Sequence, residues 1–398
     1  MNSRIEKLTE IFFKIFGNEG EQIRYFSGPG RVNLIGEHID YCGGFVFPAA
    51  LTLDNIVAIR PLEGRKLKLA ATDLKGIYEV DLDNIDAAKA LKWGNYQAGV
   101  AKELITLGYD LDGAEMLFDG TIPFGSGLSS SASIELATAI ALSTLSYEKS
   151  GINKVPNLVE LAVAGQKAEN NFCDVNCGIM DQFASAMGKK DNAILLNCNT
   201  LEYKHVPLVL NGYKVVIANT CKKRALAESK YNERRSEVDL GLSILNKFLP
   251  NKKFLCDVTI QEFEQYKNEI EDQVIRNRVQ HVVYENYRVV ESVKVLESGD
   301  LIGFGRIMKQ ANDSIRYLYE ATGFELDTMV DEAEKVEGCI AARMTGAGFG
   351  GCTVNIVKEE AIESFIETVG MNYKEKTGLT PNFYICEIGD GARELKLN

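Results

Sequence analysis

The chain has 398 residues, of which 45% are hydrophobic and 25% are charged, a balance typical of a globular protein. This length predicts two domains, or three, with enough apolar surface to bury a core without disulfides or structural metals. The formal net charge of −12, with no long basic run, argues against nucleic acid or an anionic membrane as a partner, because either needs a clustered positive face.

The first predicted element is an amphipathic helix within residues 1–20, where apolar side chains recur at helical spacing. This segment lacks the continuous apolar stretch of a secretory signal. The sequence has no run of about 18 apolar residues, so we expect no transmembrane helix. The nine cysteines are scattered and odd in number, which predicts reduced thiols in a cytoplasmic protein. Only Cys173 and Cys177 lie close together, and with three histidines in the chain we expect no zinc site.

Strand-like and helix-like segments alternate in the first half of the chain. Short β-rich runs between turn residues predict strands at Val32–Ile35, Phe45–Leu51, Ile56–Arg60, Lys66–Ala71, Ile77–Leu82, Ala114–Phe118 and Ala193–Asn197. Apolar residues at helical spacing predict helices at Tyr96–Leu107, Ser129–Leu145 and Val159–Asn171.

The second half is mostly helical. Its predicted helices are Ala227–Phe248, Ile260–Ile270, Gln273–Leu296, Leu301–Tyr319, Leu326–Lys335 and Ala361–Lys376. Its predicted strands are Tyr213–Ala218, Ile340–Met344, Thr353–Val357 and Asn382–Cys386. The pattern predicts an α+β protein with domains at residues 1–208 and 209–398, divided near Pro207–Gly212. No low-complexity linker separates the halves, so we expect them to pack directly, with a ligand cleft between them.

The segment Pro123–Ser133, between a predicted strand and a predicted helix, has the features of a phosphate-binding loop. Gly125 and Gly127 let the backbone approach an anion, and the start of the following helix offers free N–H groups and a positive dipole end. The serines after them supply hydroxyls for phosphate or Mg²⁺. The loop has no lysine, so it is not a Walker loop, and a serine stands where a dinucleotide fingerprint needs its third glycine.

A strand-to-helix turn with a serine N-cap is the alternative interpretation of this loop. A cap explains one serine and one glycine. It does not explain three consecutive serines after two glycines, so phosphate binding is the stronger hypothesis.

A polar cluster lies near the N-terminus, within the glycine-punctuated segment Gly28–Gly44. Its members are Arg31, Asn33, Glu37, His38 and Asp40. Any one of them could be a surface ion pair or a turn residue. Together, between two apolar strands, they suit a ligand with several hydroxyl groups, each of which needs a donor or an acceptor.

Four separated motifs together resemble the galactokinase family of the GHMP kinase superfamily. They are Gly28–Gly44, the serine loop, Cys177–Phe183 and Met344–Cys352, with further similarity at Ser229–Arg235 and Gly389–Glu394. The resemblance implies an N-terminal domain like the second domain of ribosomal protein S5 and a ferredoxin-like C-terminal domain. It also implies transfer of the γ-phosphate of ATP to the C1 hydroxyl of α-D-galactose, which gives galactose 1-phosphate and ADP and begins galactose catabolism.

The same resemblance implies a role for each matching residue. Asp181 is expected to act as base on the anomeric hydroxyl, with Arg31 beside it. The expected sugar-binding residues are Glu37, His38, Asp40, Gly178 and Tyr231. The expected nucleotide-binding residues are Trp93, near the adenine, and Pro123, Gly125, Ser126, Gly127, Leu128, Ser129, Ser130, Ser131, Ala132 and Ser133. Ser130 and Glu169 correspond to the Mg²⁺-associated residues, and Gly346–Gly351 is expected to support the site without taking part in the chemistry.

Each role has a simpler alternative. Asp181 could be the N-cap of a helix over Gln182–Met187, Glu169 a solvated charge at a helix end, Trp93 a core residue and Gly346–Gly351 a tight hairpin. For Asp181, capping and catalysis do not exclude each other.

Two residues depart from the usual galactokinase signature, which reads His-Thr-Asp-Tyr-Asn. Here Ile39 and Cys42 stand in place of the threonine and the asparagine, as in the fungal galactokinase and N-acetylgalactosamine kinase branch. Ile39 lies between two ligand-facing positions, so its side chain is expected to point away from the sugar. Galactose therefore stays the first hypothesis. The alternatives are another GHMP kinase, acting on N-acetylgalactosamine, another sugar or mevalonate, and a galactose and ATP sensor without turnover. The expected partners are galactose and ATP, with no nucleic acid and no membrane, in a monomer or weak homodimer.

Overall fold

The computed structural model describes residues 2–20, 22–123, 125–222 and 227–396. The strands are β1 Arg24–Asn33, β2 Phe45–Val46, β3 Pro48–Leu62, β4 Lys66–Ala71, β5 Tyr78–Asp81, β6 Gly113–Gly120, β7 Asn192–Asn197, β8 Tyr203–Pro207, β9 Tyr213–Asn219, β10 Cys339–Thr345, β11 Cys352–Lys358, β12 Asn382–Cys386 and β13 Arg393–Glu394. The α-helices are α1 Asn2–Phe16, α2 Gly94–Thr106, α3 Ser130–Lys149, α4 Leu158–Asn171, α5 Met180–Met187, α6 Ala227–Leu245, α7 Ile260–Tyr266, α8 Gln273–Glu297, α9 Leu301–Ser314, α10 Phe324–Ala333 and α11 Ile362–Thr377. Met1 of the predicted first helix and Phe124 of the predicted loop lie outside the described residues.

The largest sheet has the strand order β13-β1-β3-β6-β4-β5. Helix α3 packs against β1 and β3, and α1 covers other residues of this sheet with an apolar cluster that includes Leu8, Phe12 and Leu117. The register of β1 against β3 shifts between Pro29 and Arg31. Such a bulge redirects the side chains beside it, and here the affected residue is Arg31 of the polar cluster.

The other sheets have the orders β10-β11-β9-β12 and β2-β7-β8. Helices α10 and α11 cover the first of these through a cluster that includes Val216, Met329 and Phe365. The main hydrophobic cluster joins side chains of both halves of the chain, such as Phe47 and Phe304, whose ring centroids are 6.3 Å apart. The halves therefore share one continuous core.

The last residues return to the first sheet. Ile388 forms a bridge with Leu51, and β13 pairs with β1 through Phe26 and Glu394. Among the helices in the described part of the chain, none combines the length and the hydropathy needed to cross a bilayer.

The sequence predicted the α+β class correctly, and the bounds of β4 and β12 as well. It predicted two strands at 45–51 and 56–60, whereas the structure has the short β2 followed by the long, continuous β3. It missed β8, which is mostly exposed and carries no apolar alternation, and β13, which is too short for a periodic signal. The predicted helix Leu301–Tyr319 ends as an α-helix at Ser314 and continues as a π-helical turn, Ile315–Tyr319.

Candidate active site

A cavity of about 500 Å³ collects most of the predicted site residues. Those on its wall are Arg31, His38, Asp40, Trp93, Gly125, Ser126, Gly127, Ser129, Ser130, Ser131, Glu169, Gly178, Asp181 and Tyr231. The loop that follows β10 also reaches the wall, through Gly346 and Ala347. The cavity is therefore lined from both halves of the chain.

The serine loop forms one side of this cavity. Gly125 and Gly127 have positive φ angles of 69° and 79°, which a residue with a side chain rarely adopts. Helix α3 begins at Ser130, after Ser129 in the left-handed region with φ 61°. The Ser129 hydroxyl does not cap the helix and donates to Asp181 instead. A simple N-cap is therefore the wrong interpretation of Ser129.

Not every residue of the predicted loop reaches the cavity. Pro123, Leu128, Ala132 and Ser133 lie outside its wall. The buried Ser133 hydroxyl donates to the Gly28 carbonyl and accepts from Asn55, so its contacts join α3 to the first sheet. The Ser133 hydroxyl is therefore used in hydrogen bonds within the protein. The sequence pattern could not distinguish this use from ligand binding.

On the cavity wall, Arg31 forms a bidentate ion pair with Asp181. Its Nε and Nη2 atoms each donate to a carboxylate oxygen at 2.8 Å, and Nη1 donates to the Gly127 carbonyl at 2.8 Å. The Arg31 side chain is 4% exposed, whereas that of Asp181 is 30% exposed. Because α5 begins at Met180 after the N-cap Ile179, Asp181 lies in the first turn and is not the cap. The arrangement presents a carboxylate to the cavity and holds a positive charge behind it.

His38 and Asp40 of the polar cluster also line the cavity. A Cβ atom on Gly178 would lie 1.9 Å from Oδ2 of Asp40, so a side chain there would displace this carboxylate, and the glycine lets the backbone line the wall. Burial, with the negative charge of Asp181 as a second cause, raises the pKa of Asp40 to about 6. The rings of His38 and Tyr231 lie 5.3 Å apart beside this carboxylate, on the same wall.

Glu37 lies apart from the cavity wall. Its buried carboxylate forms an ion pair with the fully buried Arg343, and its Oε1 atom accepts from the Gly346 N–H at 3.4 Å. Burial raises the pKa of Glu37 to about 7, while the Arg343 charge acts in the opposite direction. The Arg343 Nη1 atom also donates to the Leu34 carbonyl at 2.8 Å. In this arrangement Glu37 joins the N-terminal cluster to β10.

Behind the serine loop lies a buried acidic cluster that the sequence analysis only half identified. Glu169 is 7% exposed, so a solvated charge is the wrong interpretation of it. The Nε2 atom of Gln182 donates to Glu169 at 2.7 Å and to the fully buried Glu135 at 3.0 Å. Burial, followed by the charge of Asp181, raises the pKa of Glu169 to about 7. The sequence did contain a signal for Glu135, which is a single glutamate within the apolar part of α3. A charge in such a position is buried only when it has partners, so its presence predicts a polar cluster.

The only tryptophan of the chain also lies on the cavity wall. Trp93, at the start of α2, lines the cavity, and its ring also packs edge-on against Tyr78 and Phe118, with centroids 5.6 and 6.0 Å away. Trp93 therefore takes part in packing and is also exposed to the cavity, and its contact with a nucleotide stays a prediction. Further wall residues that the sequence analysis did not single out are Tyr96, Ile134, Asp174, Val175, Asn176, Met180 and Asn232.

Comparison with known proteins agrees with this geometry. A family model described as the galactokinase galactose-binding signature matches residues 10–61, and the N- and C-terminal GHMP kinase domains match 95–189 and 292–374. The galactokinase of Clostridium tetani is 48% identical over 99% of this chain and 98% of its own length. That of Bacillus subtilis is 45% identical over 98% of this chain and 99% of its own length. This chain belongs to the galactokinase family.

Solved structures agree with this assignment to the galactokinase family. A crystal structure of Lactococcus lactis galactokinase complexed with galactose has a TM-score of 0.93 and 41% identity, covering 98% of this chain and 100% of that one. A Methanococcus jannaschii mevalonate kinase, with a TM-score of 0.64 and 20% identity, shares the fold alone. The predicted two-domain GHMP kinase fold and the resemblance to galactokinases are confirmed. As a member of this family, the protein is an ATP-dependent sugar kinase.

The two departures from the usual galactokinase signature do not reach the cavity. Ile39 is fully buried in the main hydrophobic cluster, so its side chain points away from the site as the alternation predicted. Cys42 is buried in the same cluster. Neither residue lines the cavity, so neither substitution alters the chemistry of its wall directly.

Proposed function

We propose that this protein transfers the γ-phosphate of ATP to the C1 hydroxyl of α-D-galactose, giving galactose 1-phosphate and ADP. The observation that carries the proposal is the Arg31–Asp181 ion pair, which lies between the sugar-signature wall and the serine loop of one cavity. A sugar on one side and a nucleotide on the other would meet at this carboxylate.

Asp181 is the proposed proton acceptor. As the C1 oxygen bonds to the γ-phosphorus, the bond from that phosphorus to the bridging oxygen of ADP breaks, and the proton of the C1 hydroxyl passes to the Asp181 carboxylate. Two groups fix the orientation of Asp181: Arg31 through its bidentate contact, and Ser129 through its hydroxyl. The guanidinium also offsets the negative charge on the transferring group.

The sugar would lie between Asp40, His38, Tyr231 and the backbone of Gly178. These residues offer a carboxylate acceptor, an imidazole, a phenol and an N–H group on one wall, which suits a polyhydroxylated ring. Glu37, which pairs with Arg343, is proposed to reach the sugar only if that contact is exchanged.

The nucleotide would occupy the serine loop, with its adenine near Trp93. Ser130 and Glu169 would hold Mg²⁺, because a hydroxyl at the start of α3 and a carboxylate on the same cavity wall are the hard oxygen donors that this ion prefers. When bound, the ion neutralises charge on the phosphates. Among the described residues, no group of three or more His, Cys, Asp or Glu side chains could hold a metal ion, so the phosphates themselves would complete the coordination.

The substrate is tested by coupled ADP release with galactose, N-acetylgalactosamine, glucose and mevalonate. We expect galactose to give the highest kcat/KM, and the Asp181→Ala variant to remove the signal. A preference for N-acetylgalactosamine or mevalonate would assign the protein to another GHMP kinase activity. No ADP with any of them, together with measurable galactose binding, would indicate the sensor.

We also propose that the protein acts in the cytoplasm as a monomer or weak homodimer, with domains 1–208 and 209–398. Nine free cysteines support a reducing compartment. Light scattering during gel filtration tests the oligomeric state across a hundredfold range of protein concentration.

A further inference from the structure

A chain of hydrogen bonds leads from His38 on the cavity wall into the core. The Nδ1 atom of His38 lies 2.9 Å from the hydroxyl oxygen of Tyr41, which lies 2.8 Å from that of Tyr319. On the other side of the ring, Nε2 lies 3.1 Å from the carbonyl oxygen of Ala347, another wall residue. The proposed reaction gives no role to either tyrosine.

The direction of each bond follows from the chemistry of the groups. A carbonyl oxygen can only accept, so Nε2 of His38 carries the hydrogen. Burial lowers the pKa of His38 to about 3, so the ring is neutral at pH 7 and Nδ1 is its acceptor. The Tyr41 hydroxyl therefore donates to Nδ1, and its oxygen accepts from Tyr319. In this direction the two tyrosine hydroxyls support the same tautomer that the Ala347 carbonyl requires.

The backbone is unusual at both ends of this series of hydrogen bonds, at His38 and at Tyr319. His38 has φ 62°, in the left-handed region that residues with side chains seldom adopt. Tyr319 ends the π-helical turn Ile315–Tyr319, and such turns often occur at functional sites. Buried Arg234 donates from Nε to the Tyr319 carbonyl at 2.8 Å, and Arg278 donates from Nη1 to that of Leu318.

We propose that Tyr41 and Tyr319 are positioning residues that hold His38 as its Nε2–H tautomer, so that the ring presents a hydrogen-bond donor at the sugar end of the cavity. A sugar hydroxyl oxygen can take over this donor from the Ala347 carbonyl. The proposal rests on the proposed function, because it is the sugar that uses the donor. Beyond that function, the proposal names Tyr41 and Tyr319 as the residues that make the site select a ligand with an acceptor oxygen opposite Nε2 of His38.

The kinetic test uses Tyr319→Phe and Tyr41→Phe, which keep the ring volume and remove one hydroxyl each. We expect the KM for galactose to rise about fivefold, the size of one net hydrogen bond, with kcat and the KM for ATP unchanged. Tyr317→Phe is the matched control, because Tyr317 lies on the same π-helical turn and is 62% exposed. Equal KM values for galactose in Tyr319→Phe and Tyr317→Phe would overturn the proposal.

A spectroscopic test does not depend on turnover. The chain has three histidines, so the ¹⁵N imidazole signals can be assigned by replacing His205 and His281 in turn. We expect His38 of the wild type to show the Nε2–H tautomer, and Tyr41→Phe to show a mixture of tautomers. An Nδ1–H tautomer in the wild type contradicts the proposal even if galactose is phosphorylated. If instead no sugar gives ADP while the tautomer is as expected, the proposed function fails and the hydrogen-bond chain stands.

Discussion

At the scale of single residues, the site depends on charges that are buried and paired. Arg31 is almost fully buried, and its carboxylate partner is the residue that faces the cavity. Removing one member of a buried pair leaves an uncompensated charge, which costs about 3–5 kcal/mol. Substitutions here therefore change stability and catalysis together, and each test needs a variant that separates the two effects.

The first prediction concerns Asp181. We expect Asp181→Ala to lower kcat at least ~100-fold, the lower end for the loss of a general base, while galactose binding stays measurable by calorimetry. Asp181→Asn is the companion variant, because its amide keeps an oxygen towards Arg31 but cannot take the proton. It should lose kcat to a similar extent with a smaller fall in Tm. Near wild-type turnover in either variant would remove Asp181 from the chemistry.

The second prediction concerns Gly178. An alanine Cβ here would overlap Oδ2 of Asp40, so the carboxylate must move away from its proposed contact with the sugar. We expect Gly178→Ala to raise the KM for galactose about 10- to 100-fold, the loss of a hydrogen bond to a charged group, with little effect on the KM for ATP. Gly94→Ala is the control, because the nearest atoms to its Cβ lie at an ordinary 3.5 Å. An unchanged KM would show that Asp40 does not bind galactose.

The third prediction concerns pH. Because the pKa of Asp40 is about 6 in the folded protein, the carboxylate that is proposed to accept from the sugar becomes protonated as pH falls through 6, and kcat/KM for galactose should fall with it. The effect on stability has the opposite direction. A folded pKa raised above the unfolded value stabilises the fold at low pH, and this contribution is lost as pH rises from about 4 to about 6.

Asp40→Asn separates these effects. We expect the Tm of the variant minus that of the wild type to be larger at pH 8 than at pH 4, because the variant has no carboxylate at this position to ionise. Calorimetry at the two pH values measures this, and a constant difference would contradict the raised pKa. Glu37 and Glu169 also have raised pKa values and are present in both proteins, so they cancel in the comparison.

At the scale of elements, short segments hold in place the helix that carries the proposed base. Helix α5 carries Asp181 near its start, and its end contacts the returning C-terminal segment. The Gly391 N–H donates to the Gly188 carbonyl at 2.8 Å, and the Ala392 N–H donates to the Ser185 carbonyl at 2.8 Å. The last residues thus fix α5 against the first sheet, although they are distant from Asp181 in the sequence.

The fourth prediction tests this contact. A Cβ atom on Gly391 would lie 2.2 Å from the Ala186 carbonyl oxygen and 2.8 Å from the Gly188 nitrogen, both of them backbone atoms. We expect Gly391→Ala to lower the free energy of unfolding by about 1–3 kcal/mol, measured by urea unfolding. Gly94→Ala again serves as the control. A loss no larger than that of the control would mean that the backbone adjusts without cost.

At the scale of the whole molecule, the two proposed domains are not independent. The main hydrophobic cluster takes side chains from both, and β13 of the second half completes the sheet of the first. The fully buried Arg343 of β10 pairs with Glu37 of the N-terminal cluster. The cavity wall likewise needs both halves, because Tyr231 and Ala347 of the second half line it together with Asp40 and Asp181 of the first.

The fifth prediction follows from this shared core. We expect the full chain to unfold in one calorimetric transition, and the separate pieces 1–208 and 209–398 to remain unfolded when expressed alone, because each would expose its half of the core to water. Two resolved transitions, or a cooperatively folded fragment, would show that the halves are independent.

The sequence by itself determined the α+β class, most helices and strands, and the family, and it located the loop that is proposed to bind phosphate. These features depend on local periodicity, on glycines at positive φ, and on motifs that are contiguous in the chain. Tertiary structure alone decided how the side chains are used. Arg31, beside the register shift of β1, pairs with Asp181, and Glu37 pairs with Arg343. Ser133 donates to the Gly28 carbonyl, and Gln182 bridges Glu135 and Glu169. The physical reason is that a pairing across 150 positions, such as that of Arg31 with Asp181, leaves no periodic trace in a single sequence. The number of donors and acceptors left for a ligand is known only once the protein's own contacts are known.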